Sequence, residues 1–397
     1  MKKKICIITG TRAEYGVLKL IIEKIKLEED LILQIIVTGM HLSSEFGLTY
    51  KEIEKDGFFI NEKIEILLSS DTEIGVSKSI GLAMISFSEA YSRLKPDLII
   101  LLGDRYEILA ATIAAYISRI PIAHISGGDV TEGAYDDAFR HSITKMSYLH
   151  FPGTESSKKR IIQLGESSRR IFNFGELGVE NIKNTEIYNR KELSEILKFD
   201  LERKYILIVM HSTTLENFSS VQQMKNLFCA LKNFEDYNII FIKGNSDNNG
   251  RKINQMIDEY EKENKNRMKS FISISIREYL SLLKNSEVLL GNSSSGIIEA
   301  PTLEKINLNI GDRQKGRERA NTTIDCDGTK EEILKNLSDI LNGKYNNRLK
   351  KIESPYGDGN TSSNIVKIIK KFLFEEKIDL KKKFYDIEVR ELWKKRY

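Results

Sequence analysis

Apolar and polar positions alternate along this chain in blocks rather than residue by residue. A short β-branched run at 4–9 ends in Gly10-Thr11-Arg12 and leads into a helical pattern over 15–27. A second run at 31–38 ends in Thr38-Gly39-Met40-His41. Over 77–94, Ile80, Met84, Phe87, Tyr91 and Leu94 recur at spacings of three and four. That is one buried helix face, and Pro96 predicts its end. A nearly unbroken apolar strand at 97–102 delivers Gly103-Asp104-Arg105 just past its end. A helix over 107–117 and a strand over 121–125 follow, the strand ending in Ser126-Gly127-Gly128-Asp129. Strands that are apolar throughout and alternate with helices predict a parallel sheet covered on both faces.

A second series of the same kind begins near Lys204. Its strands lie at 204–210, ending at His211; at 238–242, ending at Lys243-Gly244-Asn245; and at 287–290, ending at Gly291-Asn292-Ser293-Ser294-Ser295-Gly296. The polar stretch 180–198 reads as a linker, and 362–397 as a Lys-rich helical segment. The expected fold class is therefore α/β, with two Rossmann-like domains at 1–180 and 181–361 and a ligand in the cleft between them. The competing reading is one long sheet with an inserted subdomain. A chain of 397 residues is long enough for two domains.

Composition narrows the function class. The basic start Met1-Lys2-Lys3-Lys4 precedes an apolar run too short for an export signal, so a buried first strand and a cytoplasmic location are expected. No run is long or apolar enough for a membrane span. Cys6, Cys229 and Cys326 are too scattered for a disulfide framework or a metal set, and packing roles are expected. A net charge of +4 on a chain with 30% charged residues argues against nucleic acid and fits one anionic small molecule. The basic runs Lys381-Lys382-Lys383 and Lys394-Lys395-Arg396 read as solvated helix faces.

Open parallel sheets bind ligands beyond the carboxyl ends of their strands, and the unusual polar residues gather there. Of five histidines, His41, His124 and His211 fall at strand ends and His141 in a polar helix. His150 alone, inside Leu149-His150-Phe151, reads as structural. The turn Gly291–Gly296 opens a helix and offers backbone N–H groups and serine hydroxyls to a phosphate; the bland alternative is a Ser-rich N-cap without a ligand. Glu299, in the first turns of that helix, is placed to accept from ribose hydroxyls. Arg12 is a candidate to fork onto phosphate oxygens, its alternative being a surface ion pair with Glu14. Arg313, Lys315, Arg317 and Arg319 put four cations into seven residues directly after a strand. On the helix after the fourth strand, Asp136 with Arg140 and Asp137 with His141 are each four apart and share a face. No G-x-G-x-x-G or P-loop motif is present.

Taken together, these motifs resemble the hydrolysing UDP-N-acetylglucosamine 2-epimerases of sialic-acid-type sugar biosynthesis. The likeness runs through Ile5–Gly16, Val37–His41, Leu102–Glu107, His124–Asp129, Asp136–Lys145, Gly291–Gly296 and Ile310–Arg317. It implies a GT-B arrangement, with the C-terminal helix returning to the first domain. That domain would carry the sugar side and the second the nucleotide diphosphate. The resemblance implies that Arg12, His211, Ser293, Ser294, Gly296 and Glu299 hold the diphosphate, and that Asp104 and Asp136 do acid/base work at the sugar. Where many relatives have Glu or His after His-Ile, this chain has Ser126, and where they have Glu after Gly-Gly it has Asp129. A proton-transfer side chain is therefore absent at 126.

The candidates for proton transfer are Asp104, Asp129, Asp136, Glu132 and His211. Those for holding substrate are Arg12, His41, Arg140, His211, Asn245, Ser293, Ser294, Gly296, Glu299 and Arg313. The expected reaction converts UDP-N-acetylglucosamine to UDP and free N-acetylmannosamine through a glycal. The alternative substrate is UDP- or GDP-N,N'-diacetylbacillosamine, suggested by the Thr131–Ala134 insert and by relatives of legionaminic acid synthesis. No cofactor and no metal are expected; the partner is the small-molecule nucleotide sugar, and a homodimer or higher homo-oligomer is the default. A glycosyltransferase and a non-catalytic sugar-nucleotide binder are rivals from other classes. Neither would exchange the proton at C2 of the sugar.

Overall fold

The computed structural model describes residues 2–68, 72–131, 135–211, 220–243, 250–272, 274–376 and 378–387. Two compact units emerge. The first comprises Met1–Val130, Ala134–Glu180 and Gly357–Tyr397, and the second comprises Thr131–Gly133 and Asn181–Tyr356.

In the first unit, β1 (Lys3–Thr9), α1 (Arg12–Leu27), β2 (Leu31–Thr38), α2 (Tyr50–Lys55), β3 (Glu62–Ile64), α3 (Glu73–Leu94) and β4 (Leu98–Leu102) follow in order. Then come α4 (Tyr106–Ile117), β5 (Ile122–Ile125), α5 (Asp136–Met146), β6 (Leu149–Phe151) and α6 (Glu155–Gln163). The sheet order is β3-β2-β1-β4-β5-β6, with every pairing parallel. Two-sided burial explains the unbroken apolar strands. Along β1, Ile5 and Ile7 enter one core layer with Leu18, Ile21, Ile22 and Ile25 of α1. Cys6 and Ile8 enter the opposite layer with Ala83 and Phe87 of α3. Both sets are fully buried, so each successive side chain must be apolar.

The chain continues through α7 (Leu177–Asn184) and α8 (Arg190–Leu197) into β7 (Tyr205–Val209), α9 (Ser220–Leu231), β8 (Asn238–Ile242), α10 (Gly250–Glu263) and β9 (Met268–Phe271). Next are α11 (Ile276–Asn285), β10 (Val288–Gly291), α12 (Ser295–Thr302), β11 (Asn307–Ile310), β12 (Thr323–Cys326), α13 (Lys330–Leu341) and α14 (Asn346–Leu349). The second sheet, β12-β11-β10-β7-β8-β9, is again parallel throughout. Each sheet reverses its strand order once, between β1 and β4 and between β7 and β10. Ligands of doubly wound sheets bind at such switch points. These are two Rossmann-like domains of the GT-B kind, not one long sheet with an insertion.

Three expectations need correction. The stretch 180–198 is not an open linker, because it holds α7 and α8, and α8 starts with a full capping box on Asn189 and Glu192. Among the described residues the final segment is helical only through α15 (Thr361–Lys370) and a π turn at Lys371–Glu375, and Lys394-Lys395-Arg396 lie outside the described residues. Residues 378–387 carry no helix. Lys382 is not solvated: its ammonium donates to the Lys145 and Ser147 carbonyls at 2.6 and 2.7 Å and to Glu166 at 2.9 Å. Cys6 and Cys326 are packed as expected, whereas Cys229 is exposed. Among the described residues no helix is long and apolar enough to cross a membrane.

Candidate active site

At the first switch point, the turn after β1 is fixed by a capping box. Thr11 Oγ1 accepts from the Glu14 amide at 3.2 Å, and the Glu14 carboxyl accepts from the Gly10 and Thr11 amides at 2.7 and 3.3 Å. Glu14 is therefore not the partner of Arg12. Arg12 reaches Glu52 on α2 instead, at 3.1 Å. Behind the turn lies Glu107 on α4, fully buried and bonded to Arg105 at 2.5 Å. A Cβ on Gly10 would stand 2.6 Å from the Glu107 Oε1, so this glycine is required by space. Burial, with Glu107 next, pushes the Glu14 carboxyl up to about 8.

Asp104 follows β4 in the turn that faces β1. Two groups position it. His124, buried at the end of β5, bonds the Gly103 carbonyl through Nε2 at 2.8 Å and Thr144 through Nδ1 at 3.0 Å. Nε2 thus carries the proton and Nδ1 accepts. Burial lowers this imidazole to about 3, so it stays neutral. Arg140 of α5, 3% exposed, then donates to the Asp104 carboxylate, to Asp137 at 3.4 Å and to the Asp129 carbonyl at 2.9 Å. The helical spacing predicted Arg140 with Asp136; the longer reach to Asp104 escapes any periodicity argument. His141 and Asp137 do pair, at 3.4 Å. Asp136 is raised above its ordinary range by burial and by the neighbouring Asp104. Asp129 accepts from Ser157 at 2.5 Å through its carboxylate.

His41 does not present its ring to a ligand. It is fully buried, with Nε2 on Thr9 at 3.0 Å and Nδ1 on Thr49 at 2.8 Å. Burial lowers it to about 4. His124 is structural in the same way, so of the four histidines at or near strand ends only His141 and His211 keep exposed surface.

At the second switch point, Gly291 adopts φ 138°, and a Cβ there would overlap the Val209 carbonyl oxygen. The next residue, Asn292, is fully buried and clamps the end of β7: its Oδ1 accepts from the His211 amide at 2.7 Å and its Nδ2 donates to the His211 carbonyl at 2.9 Å. Its own carbonyl accepts from Arg313 at 3.0 Å and Gln314 at 2.9 Å. One residue, through its side chain and its carbonyl, therefore holds His211, Arg313 and the serine turn together. Burial, then Arg313, lowers His211 to about 4, leaving a neutral imidazole.

The helix α12 begins at this turn. Ser294 occupies the N-cap position, yet its hydroxyl makes no capping bond, which weakens the reading of a plain Ser-rich cap. Gly296 is pressed against the Asn307 side chain, where no Cβ fits. Ser293 Oγ accepts from the Ser295 amide at 3.3 Å. Glu299 accepts from Ser295, which also meets the Tyr279 hydroxyl. Burial raises the Glu299 carboxyl. Glu132 and Asn245 lie outside the described residues. The sequence reading missed Asn292, Glu107 and Glu176 as organising groups; only Asn292 and Glu107 stood inside motifs already quoted.

Residues 23–370 match the family model described as UDP-N-acetylglucosamine 2-epimerase. The chain belongs to the UDP-N-acetylglucosamine 2-epimerase family. Within that family it is 45% identical over 326 residues to a Campylobacter jejuni protein named GDP/UDP-N,N'-diacetylbacillosamine 2-epimerase (hydrolyzing), covering 82% of this chain and 85% of that one. It is 37% identical over 373 residues to a Legionella pneumophila protein named UDP-N,N'-diacetylbacillosamine 2-epimerase (hydrolyzing), covering 93% and 96%. The fold is similar to that of a Neisseria meningitidis UDP-GlcNAc 2-epimerase crystallised with UDP-GlcNAc, with TM-score 0.78, 20% identity, and 93% and 100% of the two chains covered.

Proposed function

We propose that this chain is a hydrolysing nucleotide-sugar 2-epimerase whose substrate is UDP- or GDP-N,N'-diacetylbacillosamine. Its products are then the nucleoside diphosphate and free 2,4-diacetamido-2,4,6-trideoxymannose. The observation that carries this reading is the similarity, over most of both chains, to two relatives named for that substrate. The order reached from sequence alone, with N-acetylglucosamine first, is thereby reversed.

The chemistry explains why the two strand-end clusters differ. The C2 proton has no neighbouring carbonyl and is not acidic in the ground state. The C1–O bond must therefore break ahead of proton loss, its electron pair leaving on the diphosphate. Positive charge and backbone N–H groups are needed there. The Gly291–Ser294 turn and Arg313 supply them, and the neutral His211 ring beside them offers a further N–H donor. As the ring becomes cationic the C2 proton becomes acidic, so even a carboxylate tied to an arginine suffices to take it. Asp104, oriented by Arg140 and by the His124-bound turn, has that role. A glycal with a C1–C2 double bond results. Asp136, raised by burial and by Asp104, returns a proton to the opposite face of C2, and water adds at C1. A carboxyl held above its ordinary range is suited to keep a proton for the return step.

Turnover in ²H₂O tests the reading. Purified protein is incubated with the UDP and GDP forms of both candidate sugars and the products are followed by NMR. Free sugar with inverted C2 carrying deuterium is expected, fastest from N,N'-diacetylbacillosamine. Free sugar with the starting C2 configuration and no deuterium defeats it.

A further inference from the structure

The hydrating step leaves one proton without a destination, since water that bonds to C1 must lose one. A carboxylate that the acid/base scheme above does not use stands one strand away from Asp104. Glu176, 8% exposed and just ahead of α7, accepts from the Ser126 hydroxyl at 2.7 Å. Ser126 is the first residue after β5. The Ile125 carbonyl before it binds the Gly103 amide at 3.1 Å, directly before Asp104, and the Ser126 amide binds Phe151 of β6 at 2.9 Å. Ser126 and Asp104 are thus successive strand ends of one sheet.

The backbone is built around this pair. Ser126 holds φ 59°, the left-handed region that side-chain-bearing residues avoid. Gly153, past the end of β6, has the Glu176 carboxylate where its Cβ would be. A left-handed serine and an obligatory glycine both serve to bring one hydroxyl onto one nearly buried carboxylate. Because the Ser126 proton is committed to Glu176, the serine oxygen keeps lone pairs free to accept from a water, and Ser126 is only half-buried.

We infer that Ser126 and Glu176 form a relay that takes the proton of the attacking water in the hydration half-reaction. This rests on the epimerase reading above. After C2 is protonated, the water oxygen bonds to C1 and one water O–H bond breaks. That proton passes to Ser126 Oγ as the serine proton passes to the Glu176 carboxylate, which is left neutral and returns its proton to solvent as product leaves. No oxidant or further reactant is involved. Ser126 touches the reacting water; Glu176 is the positioning residue behind it. General-base assistance of this kind is worth roughly 10²-fold or more.

The test separates elimination from hydration. Full-length E176Q, S126A and E176D are compared with wild type on the nucleotide sugar that wild type turns over. NDP release is followed by ³¹P NMR, and free sugar and glycal by ¹H NMR through the vinyl proton of the glycal. In E176Q and S126A, free-sugar formation falls at least tenfold while NDP release falls less, and glycal accumulates; E176D recovers free sugar. Free sugar within twofold of wild type in E176Q overturns the relay. So does an equal loss of NDP release and sugar without glycal, which is what a purely structural clamp gives. Should E176Q melt below the assay temperature, S126A alone decides by the same two criteria. Absence of C2-inverted sugar from wild type is a separate result, and it removes the epimerase reading itself.

Discussion

Replacing Asp104 by Asn tests the centre of the first domain's site, because the change is nearly isosteric and its two consequences differ in size. Arg140 is 3% exposed and donates to Asp104, to Asp137 and to the Asp129 carbonyl. In Asp104→Asn the amide oxygen still accepts from Arg140, so a charge-assisted bond becomes a neutral one. That costs about 1–2 kcal/mol, with Asp137 still present to offset the buried guanidinium. A loss of that size lowers the melting temperature of a domain this large by roughly 2–8 °C, leaving it folded at assay temperature. Turnover loses the base outright, a fall of about 10²-fold or more, equivalent to ~2.7 kcal/mol of barrier. Affinity for free UDP or GDP stays unchanged, since the nucleotide is assigned to the second domain. The assays are NMR of products, calorimetric titration of the nucleoside diphosphate and thermal melting. Near-normal turnover in the folded variant refutes the role of Asp104. So does a turnover loss fully matched by a loss of nucleotide affinity.

Ser294→Ala removes a hydroxyl that caps nothing, so titration calorimetry should show free UDP or GDP binding weakened by about 1 kcal/mol with the melting temperature unmoved; unchanged affinity puts the diphosphate elsewhere. Gly291→Ala forces a Cβ into the Val209 carbonyl at φ 138°, and denaturant unfolding of the variant should report a loss of about 3 kcal/mol or more; a wild-type midpoint contradicts the geometry. Burial alone would raise Glu166, but hydrogen bonds from His150, Lys145 and Lys382 outweigh it and bring it down to about 2. Its folded value lies below its ordinary one, so the stability it contributes is present above about pH 4.5 and lost as pH falls toward 2. Wild type should therefore exceed Glu166→Gln in stability at pH 6, the gap closing on acidification; a gap constant from pH 6 to 2 refutes the linkage.

What the sequence disclosed and what it hid follow from the kind of force involved. Central strands such as β4 are apolar at every position because both sheet faces are covered, and they announce themselves. The edge strand β3 is three residues, Glu62–Ile64, with one buried position, too little for any pattern. Strand β11 was legible as a strand but not in its polar interior: Asn307 and Asn309 are buried within it, and Asn309 bonds Asp325 of β12 at 2.7 Å. The strand-end turns carrying Asp104, Ser126 and Ser294 were legible because glycines and polar residues interrupt apolar runs there. Their partners were not. Arg140 meets Asp104 across 36 residues and Glu176 meets Ser126 across 50, separations no local periodicity can encode. Lys382 was misread for the same reason, since nothing in a run of three lysines points to a buried carboxylate at 166.

The return of α15 to the first domain sets the order in which that domain can be made. Ile365, Val366, Ile369 and Phe372 belong to the same core layer as Ile5, Leu18 and Ile22, and Glu180 receives the Ser362 amide and hydroxyl at 2.5 and 2.7 Å. During synthesis the first β-α units leave the ribosome with this core layer covered by α1 but not yet closed by α15. They must wait through production of the entire second domain before the residues that seal it appear. The second domain, contiguous apart from three residues, has no such delay and can complete its core first. Domains usually fold from the amino terminus onward as they emerge; here the domain that starts first finishes last, and a gene fragment ending at residue 180 would encode a core layer lacking Ile365, Val366, Ile369 and Phe372.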